Sequence, residues 1–333
     1  MKKIINHPAN VVDEMLEGLA LAYPQYVRRL EGLNVIVRAD APNDKVALIS
    51  GGGSGHEPSH AGWVGEGMLD AAVAGAVFTS PTPDQIYEAI KAVDSGKGIL
   101  LVVKNYTGDV LNFEMAAEMA EADGIRVEQV VVNDDVAVEN STWTSGRRGI
   151  AGTVLVHKIA GAKAQAGGTL EEVKAVAEKV IANVRSMGMS ISPCTVPEAG
   201  KPSFELTENE MEIGMGIHGE PGTHREAIRP ADEITDLLLE KLFADLPLGS
   251  GDETAVMVNG LGATPLMELF IVNRRVAHVF AEKGIRIVKT FVGNYMTSLE
   301  MGGFSVSVVK LDAELKELLL AKADTPALAQ FQS

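Results

Sequence analysis

The first third of the chain alternates short apolar runs with segments whose apolar residues recur at helical spacing. Val46–Ser50, Ile99–Val103 and Val127–Val132 are apolar runs of the kind found in buried parallel strands. Between them, Pro83–Val93 and Asn112–Ala120 show apolar residues at helical spacing, which predicts helices. This β-α-β-α-β order predicts a mostly parallel sheet covered by helices.

The middle of the chain predicts two further helices. Gly146–Gly168 is a stretch of small residues between glycine turns, and it predicts one buried helix around His157. Thr169 and Glu172 fit a capping box, in which the two side chains satisfy free amides at a helix start. The helix that they open extends to about Arg185.

The second half of the chain predicts a second sheet with its own helices. Ser186–Ser203 contains three prolines together with glycines and serines, so we place a boundary here between two domains, residues 1–187 and 188–333. The predicted strands beyond it are Glu210–Ile217, Thr254–Val258, Ile285–Phe291 and Ser305–Val309, and the predicted helices are Pro230–Leu246, Pro265–Glu282 and Ala313–Ala321. The predicted fold class is therefore α/β, with two domains that each contain a mainly parallel or mixed sheet covered by helices.

Composition and charge narrow the functional classes. The 333 residues are 46% hydrophobic, which is enough to bury substantial cores, and 29 Lys and Arg against 45 Asp and Glu give a net charge of −16. Such a surface repels phosphate backbones and anionic membranes, so we expect neither nucleic-acid binding nor membrane association. The single cysteine, Cys194, excludes an intramolecular disulfide and a cysteine cluster for a metal. No signal-type segment and no run of 18 uncharged apolar residues occurs, so we expect a cytoplasmic protein.

Apolar strands run straight into glycine-rich turns at Gly51, Gly216 and Gly260. In open α/β sheets, ligands bind at the ends of strands. His218 follows the second of these turns, where the flanking glycines would let a ligand approach its imidazole, which can act as a base or a nucleophile. A loop histidine bonded to a backbone carbonyl is the equally weighted alternative.

Two further loops place polar side chains at strand ends. Lys104 and Asp109 follow Ile99–Val103, which puts a cation and a carboxylate at the carboxyl end of a buried strand. A surface ion pair of little energetic value is the alternative interpretation. Gly53 and His56 come from a comparable strand end. We expect the two loops to meet at one crevice.

Several short motifs match known sites by letter only. The sequence HEPSH at positions 56–60 fits the HExxH zinc pattern, but that pattern requires a helix, which Pro58 and the preceding glycines disfavour. We therefore predict no metal site, and a zinc hydrolase using His56 and His60 is a minor alternative. The sequence GMGIHG at positions 214–219 fits GxGxxG, but a turn follows it where a dinucleotide site needs a helix. Arg147 and Arg148 fit an anion site or, preferably, an ordinary charged turn, and no P-loop sequence occurs.

Four long segments together resemble the K subunit of the dihydroxyacetone kinase family. They are SGGGSGHEPSHAGWVGEGMLDAAVAGAVFTSPT, KNYTGD, GRRGIAGTVLVHK and IGMGIHGEPG, and the resemblance extends in the same order over nearly the whole chain. It implies two α/β domains and a homodimer.

The resemblance implies that dihydroxyacetone binds covalently to His218 as a hemiaminal. It further implies that Gly53, His56, Lys104 and Asp109 contact this substrate, and that His56 and Asp109 handle the proton of the hydroxyl that is phosphorylated. All five positions match the family pattern. Because an imidazole adds to a ketone and not to an alcohol, such an adduct separates dihydroxyacetone from glycerol and holds the hydroxyl in place for reaction.

The resemblance also implies how the phosphoryl group arrives. Some family members carry a nucleotide-binding L domain on the same chain, and others use a separate L subunit whose bound ADP is rephosphorylated by a phosphotransferase-system protein. With 333 residues this chain has room for the K region only. We therefore expect ADP or ATP with Mg²⁺ on a partner L subunit, no cofactor on this chain, and a phosphoenolpyruvate-dependent glycerone kinase of glycerol metabolism.

One alternative from a different functional class is open. Some K-like paralogues are coactivators that sense dihydroxyacetone through the same histidine without phosphorylating it. A receptor needs the nucleophile His218 but has no use for a proton acceptor, so the presence of both His56 and Asp109 favours the kinase.

Overall fold

The computed structural model describes residues 2–141 and 144–331, and the first of its two large sheets has six strands. These are β1 (Val27–Arg29), β2 (Val35–Arg38), β3 (Ala47–Ser54), β4 (Ala71–Val77), β5 (Ile99–Lys104) and β6 (Val127–Val132), in the order β1-β2-β4-β3-β5-β6. Strands β4, β3, β5 and β6 run parallel, whereas β1 and β2 pair antiparallel at one edge. The predicted mostly parallel sheet is confirmed.

The second sheet also has six strands and is mixed. They are β7 (Val184–Ser192), β8 (Glu210–Ile213), β9 (His224–Ala227), β10 (Glu253–Gly260), β11 (Arg286–Gly293) and β12 (Gly302–Leu311), in the order β11-β10-β12-β7-β8-β9. Only β10 and β11 pair in parallel, and a short hairpin of β13 (Ala323–Asp324) and β14 (Ala329–Gln330) follows. The α/β fold class is confirmed. The expected boundary between residues 187 and 188 falls inside β7, and the division into two domains stays a prediction.

The helices lie close to their predicted positions, apart from the first helix, which was not predicted. They are α1 (Val11–Ala22), α2 (Pro83–Val93), α3 (Thr107–Ala122), α4 (Thr153–Gln165), α5 (Leu170–Asn183), α6 (Ala231–Asp245), α7 (Leu266–Glu282) and α8 (Ala313–Leu320). The predicted capping box opens α5, since the Glu172 amide donates to Thr169 Oγ1 at 3.3 Å and the Thr169 amide to Glu172 Oε2 at 3.0 Å. Within residues 2–141 and 144–331, no helix is long and apolar enough to cross a membrane.

The helices form layers on the faces of the two sheets. Helices α2 and α3 cover one face of the first sheet, where Phe113 packs in the same core as Ile49. Helices α6 and α7 cover one face of the second sheet around Phe280. Between the sheets, the almost wholly buried α4 lies in one core that includes Leu100 of the first sheet and Met257 of the second. The two halves of the chain are therefore joined by shared apolar packing.

Several element ends differ from the sequence prediction, and three of these differences lie near the candidate site. Strand β3 does not end at Ser50 but continues through the glycines to Ser54, because these residues pair with the unpredicted strand β4. Strand β8 stops at Ile213 because Gly214 adopts φ +77°, a left-handed conformation. Helix α3 begins at Thr107, five residues before the prediction, so Asp109 lies in its first turn.

Candidate functional site

The loop after β3 carries His56 to the second half of the chain. The amide of Leu299 donates to the Gly55 carbonyl at 2.7 Å, and the amide of Thr297 donates to the His56 carbonyl at 3.1 Å. The His56 ring is fully buried, and its Nδ1 lies 2.8 Å from the Thr297 carbonyl oxygen. Because a carbonyl oxygen only accepts, Nδ1 carries the proton of the neutral ring and Nε2 is left with a lone pair.

His218 lies in the turn after β8, and Glu220 holds its ring. His218 Nδ1 lies 3.0 Å from Glu220 Oε1, and the second carboxylate oxygen accepts the His218 backbone amide at 2.8 Å. The hydroxyl of Ser298 donates to the Ile217 carbonyl at 2.6 Å, so the segment that holds His56 also holds this turn. Donation of Nδ1–H to the carboxylate leaves Nε2 of His218 as the nitrogen available for chemistry.

The Nε2 atoms of His56 and His218 face each other at 3.1 Å. Since both Nδ1 atoms donate elsewhere, two lone pairs would meet here unless one proton lies between them. Burial, reinforced by the charges of His218 and Lys104, lowers the pKa of His56 well below its ordinary value. His56 therefore stays neutral and accepts a hydrogen bond from the proton on His218 Nε2. When the proton leaves, His218 has a free nucleophilic nitrogen.

Glu220 is a functional residue that the sequence reasoning missed. Burial acts to raise the pKa of its carboxyl, but the charge and hydrogen bond of His218 and the charge of Arg148 outweigh burial, and the pKa falls to about 2. The carboxylate lies so close to the turn that a Cβ on Gly216 would be 2.1 Å from Glu220 Oε2. The available signal in the sequence is an acidic residue two positions after a candidate histidine.

Two aromatic rings enclose the histidine pair. Tyr106 meets the His218 ring edge-on at a centroid distance of 4.6 Å, and Phe78 does so at 5.2 Å. Phe78 also stacks on His56 at 5.2 Å. These contacts limit rotation of both imidazoles and keep their surroundings apolar. Neither aromatic residue was singled out in the sequence.

Lys104 and Asp109 form a buried pair at the end of β5. The Lys104 ammonium is completely buried and lies 3.8 Å from Asp109 Oδ2. Asp109 occupies the first turn of α3, where the helix dipole favours a carboxylate, and Ser80 Oγ donates to its other oxygen. Burial lowers the pKa of Lys104, whereas Asp109 opposes that shift. The interpretation of the two residues as a surface pair is wrong.

The predicted site residues meet around one cavity of about 620 Å³. Residues that line it include Gly53, Ser80, Tyr106, Asp109 and His218. Lys104 joins this group through Asp109, and His56 joins it through His218. The two loops thus lie at one crevice, as the sequence led us to expect. The functional roles of these five predicted residues stay predictions at this point.

The two adjacent arginines both form ion pairs within the chain. Arg148 is fully buried, pairs with Asp135 at 2.7 Å and donates to the Gly214 carbonyl at 2.7 Å. Arg147 pairs with Asp245. Arg148 therefore anchors the turn that carries His218, and its complete burial differs from the ordinary charged turn that the sequence favoured.

Two motifs match known sites in their letters alone, and the structure does not give them the helices that those sites require. Residues 56–60 form a turn in which His56 faces His218, whereas His60 Nδ1 lies 3.0 Å from His157 Nε2. Residues 214–219 lead through a turn into β9 and not into a helix. Within the described parts of the chain, no group of three or more His, Cys, Asp or Glu side chains is placed to hold a metal ion.

The fold and site define a two-sheet α/β protein whose ligand cavity is bordered by a histidine held on a carboxylate, and comparison with known proteins identifies its family. The Dak1 domain matches residues 17–327. The chain is 57% identical to the Listeria innocua "PTS-dependent dihydroxyacetone kinase 1, dihydroxyacetone-binding subunit DhaK", over 98% of this chain and 100% of that protein. It is 45% identical to the Escherichia coli K12 "PEP-dependent dihydroxyacetone kinase, dihydroxyacetone-binding subunit DhaK", over 98% and 99%. The chain belongs to the Dak1 family of dihydroxyacetone kinase subunits, which confirms the resemblance.

Solved structures share the whole fold. The dihydroxyacetone kinase of C. freundii superposes with a TM-score of 0.91 at 38% identity, and the match covers 99% of this chain but 60% of that longer chain. A dihydroxyacetone kinase operon co-activator, Dha-DhaQ, superposes with a TM-score of 0.90 at 36% identity, covering 95% and 98%. The fold therefore occurs both in a kinase and in a protein named as a co-activator.

Proposed function

We propose that this chain is the dihydroxyacetone-binding subunit of a dihydroxyacetone kinase. The supporting observation is the His218 imidazole, which borders the cavity with Nδ1 held by Glu220 and Nε2 directed at His56. This arrangement prepares one ring nitrogen to attack a carbonyl carbon, and the named relatives from Listeria innocua and Escherichia coli are dihydroxyacetone-binding subunits.

In the first step, His218 Nε2 bonds to the carbonyl carbon of dihydroxyacetone. The carbonyl π bond breaks, and its oxygen takes the proton that the two histidines share, so a hydroxyl forms and His56 stays neutral. The His218 ring carries one positive charge with its Nδ1–H both before and after this step, and the Glu220 carboxylate 3.0 Å away stabilises it. Atoms and charge balance without any further reactant.

In the second step, a terminal hydroxyl of the bound triose attacks the terminal phosphorus of a nucleotide on an L-type partner subunit. Asp109 takes the hydroxyl proton while the new O–P bond forms and the bond from phosphorus to the nucleotide breaks. Gly53, His56 and Lys104 hold the triose during this transfer. The nucleotide with its Mg²⁺, its rephosphorylation by a phosphotransferase-system protein, and a homodimer of this chain all belong to the proposal.

The test is the intact mass of the purified protein after incubation with dihydroxyacetone. We expect one equivalent of adduct on the wild type, none on His218→Ala and none with glycerol. His224→Ala removes an exposed histidine from β9 and serves as the matched control, which keeps the adduct. Absence of an adduct on the wild type under mild conditions would contradict the proposal.

The fold also matches a co-activator, so the second candidate function of this chain is that of a dihydroxyacetone sensor without catalytic activity. The two functions differ in their dependence on Asp109. With the L subunit and phosphoryl donor supplied, the kinase proposal expects Asp109→Asn to lower turnover by roughly 100-fold or more and to leave the adduct intact. A wild-type chain that forms the adduct but never yields glycerone phosphate would favour the sensor.

A further inference from the structure

A line of buried side chains continues from Lys104 away from the reacting groups. His60 Nε2 lies 3.3 Å from the Lys104 ammonium, and His60 Nδ1 lies 3.0 Å from His157 Nε2. His60 lies in the loop after β3 and His157 lies in the central helix α4, and both side chains are buried. The reaction described above uses neither histidine.

The hydrogen bonds along this line have one direction. The charged Lys104 ammonium has only protons to donate, so His60 Nε2 accepts. His60 must then carry its proton on Nδ1, which donates to His157 Nε2 at 3.0 Å. The Ser50 hydroxyl lies farther from His60 Nδ1, at 3.4 Å, and donates its own proton to the Val102 carbonyl. His157 in turn carries its proton on Nδ1, and among the described residues this atom has no hydrogen-bond partner. The tautomers of both histidines thus follow from the charge on Lys104.

Both histidines are neutral partners of a buried cation. Burial, followed by the charge of Lys104, lowers the pKa of His157 to about 3. Burial, Lys104, His157 and His56 together lower the pKa of His60 well below its ordinary value. A carboxylate at the position of His60 would hold Lys104 equally well, but it would add a second negative charge beside Asp109. Neutral imidazoles leave the Lys104 and Asp109 pair with no net charge.

We propose that His60 and His157 are positioning residues that hold the Lys104 ammonium, through a one-directional chain of hydrogen bonds, as a donor toward the triose. The hydrogen-bonded line ends at a buried Nδ1–H that has no acceptor among residues 2–141 and 144–331, so it orients Lys104 and does not conduct protons away. The contact between Lys104 and the triose rests on the proposed function. The tautomers and the neutral state of the two histidines do not depend on the proposed function.

The first measurement is a long-range ¹H–¹⁵N NMR spectrum of the full chain with labelled histidines, assigned with single variants. We expect the spectra of His60 and His157 to show neutral rings with the proton on Nδ1 from pH 5 to pH 8. Protonation of either ring in this range, or a proton on Nε2 of either one, would overturn the proposal, whatever the outcome of the adduct experiment.

The second measurement compares His157→Leu and His157→Gln. Leucine removes the closer acceptor for His60 Nδ1–H and leaves the Ser50 hydroxyl oxygen 3.4 Å away, whereas the glutamine side-chain oxygen can take the place of Nε2. We expect His157→Leu to weaken the dihydroxyacetone adduct about tenfold and His157→Gln to restore it to near the wild-type value. His278→Gln, at an exposed position on α7, is the control for loss of a histidine.

The outcomes separate a positioning role from simple packing. If leucine and glutamine variants with equal thermal stability bind dihydroxyacetone equally well, His157 does not act through hydrogen bonding and the proposal is wrong. If His157→Leu does not fold, His60→Gln is the second variant, because its oxygen still accepts from Lys104 but gives His157 a different partner. We expect it to keep the adduct and to shift the His157 nitrogen resonances. If the wild type forms no adduct but the NMR spectra show the expected tautomers, only the proposed function is contradicted.

Discussion

At the scale of single residues, the chemistry depends on which nitrogen of each imidazole carries a proton. His56 donates through Nδ1 to the Thr297 carbonyl, and His218 donates through Nδ1 to Glu220, so the two Nε2 atoms are left for one shared proton. The sequence motif supplied both histidines but not their partners. In the proposed reaction Glu220 stabilises the charge of the adduct, and only the folded turn brings its carboxylate to the His218 ring.

The residue-scale prediction concerns Glu220→Gln. The glutamine oxygen can still accept from His218 Nδ1, but it has no charge to keep the ring an imidazolium, the form that supplies the proton to the carbonyl oxygen, so we expect the adduct to weaken about 10- to 100-fold. The measurement is the dependence of adduct mass on dihydroxyacetone concentration. Glu317→Gln on the exposed side of α8 is the control, and equal adduct formation in both variants would exclude a charge role for Glu220.

At the scale of elements, two segments from distant parts of the chain hold the turn that carries His218. The segment between β11 and β12 bonds to it through Ser298, and the turn before α4 bonds to it through Arg148. Arg148 also forms a buried pair with Asp135, in the segment after β6. The turn is therefore held by distant segments as well as by its own Glu220.

The element-scale prediction concerns Arg148→Met. Removal of the guanidinium leaves the Asp135 charge buried without its partner, so we expect a loss of about 3–5 kcal/mol in the free energy of unfolding, together with loss of the adduct. The double variant Arg148→Met with Asp135→Asn should regain part of the stability but not the adduct, because the turn still lacks its anchor. Urea unfolding and intact mass measure the two effects, and an unchanged unfolding midpoint for Arg148→Met would contradict this account.

At the scale of the whole molecule, one apolar core joins the two sheets, and the buried histidines lie at the junction. The sheets meet where residues 55–59 pair with residues 295–299. Folding therefore removes His56, His60 and His157 from water in their neutral forms. Stability and acidity are linked through these three side chains.

The whole-molecule prediction concerns pH. His157 has a pKa of about 3 in the fold against 6.5 in the unfolded chain, so between these values the unfolded chain binds the extra proton and stability falls as pH falls. This one histidine should cost about 2 kcal/mol between pH 6.5 and pH 5, and His56 and His60 act in the same direction.

Urea unfolding at a series of pH values measures this effect. The slope of the unfolding free energy against pH measures how many protons the chain binds when it unfolds. His157→Gln should lower that number by about one below pH 6. The exposed His278→Gln variant controls for the loss of a surface histidine. An identical slope in the wild type and His157→Gln would show that His157 titrates alike in both states.

Local patterns along the chain were enough to predict the parallel strands, most helices and the capping box of α5, because periodicity and caps act between residues three or four positions apart. The motifs also led us to expect the loops of Gly53, His56, Lys104 and Asp109 at one crevice, and the family resemblance added His218. The continuation of β3 through its glycines was missed, because it depends on pairing with β4. The partners of His56 and His60, which are 241 and 97 positions away along the chain, were missed as well. Hydrogen bonds between such distant residues leave no periodic trace in the sequence, so proton positions and ring orientations in the site became visible only once the two halves were packed together.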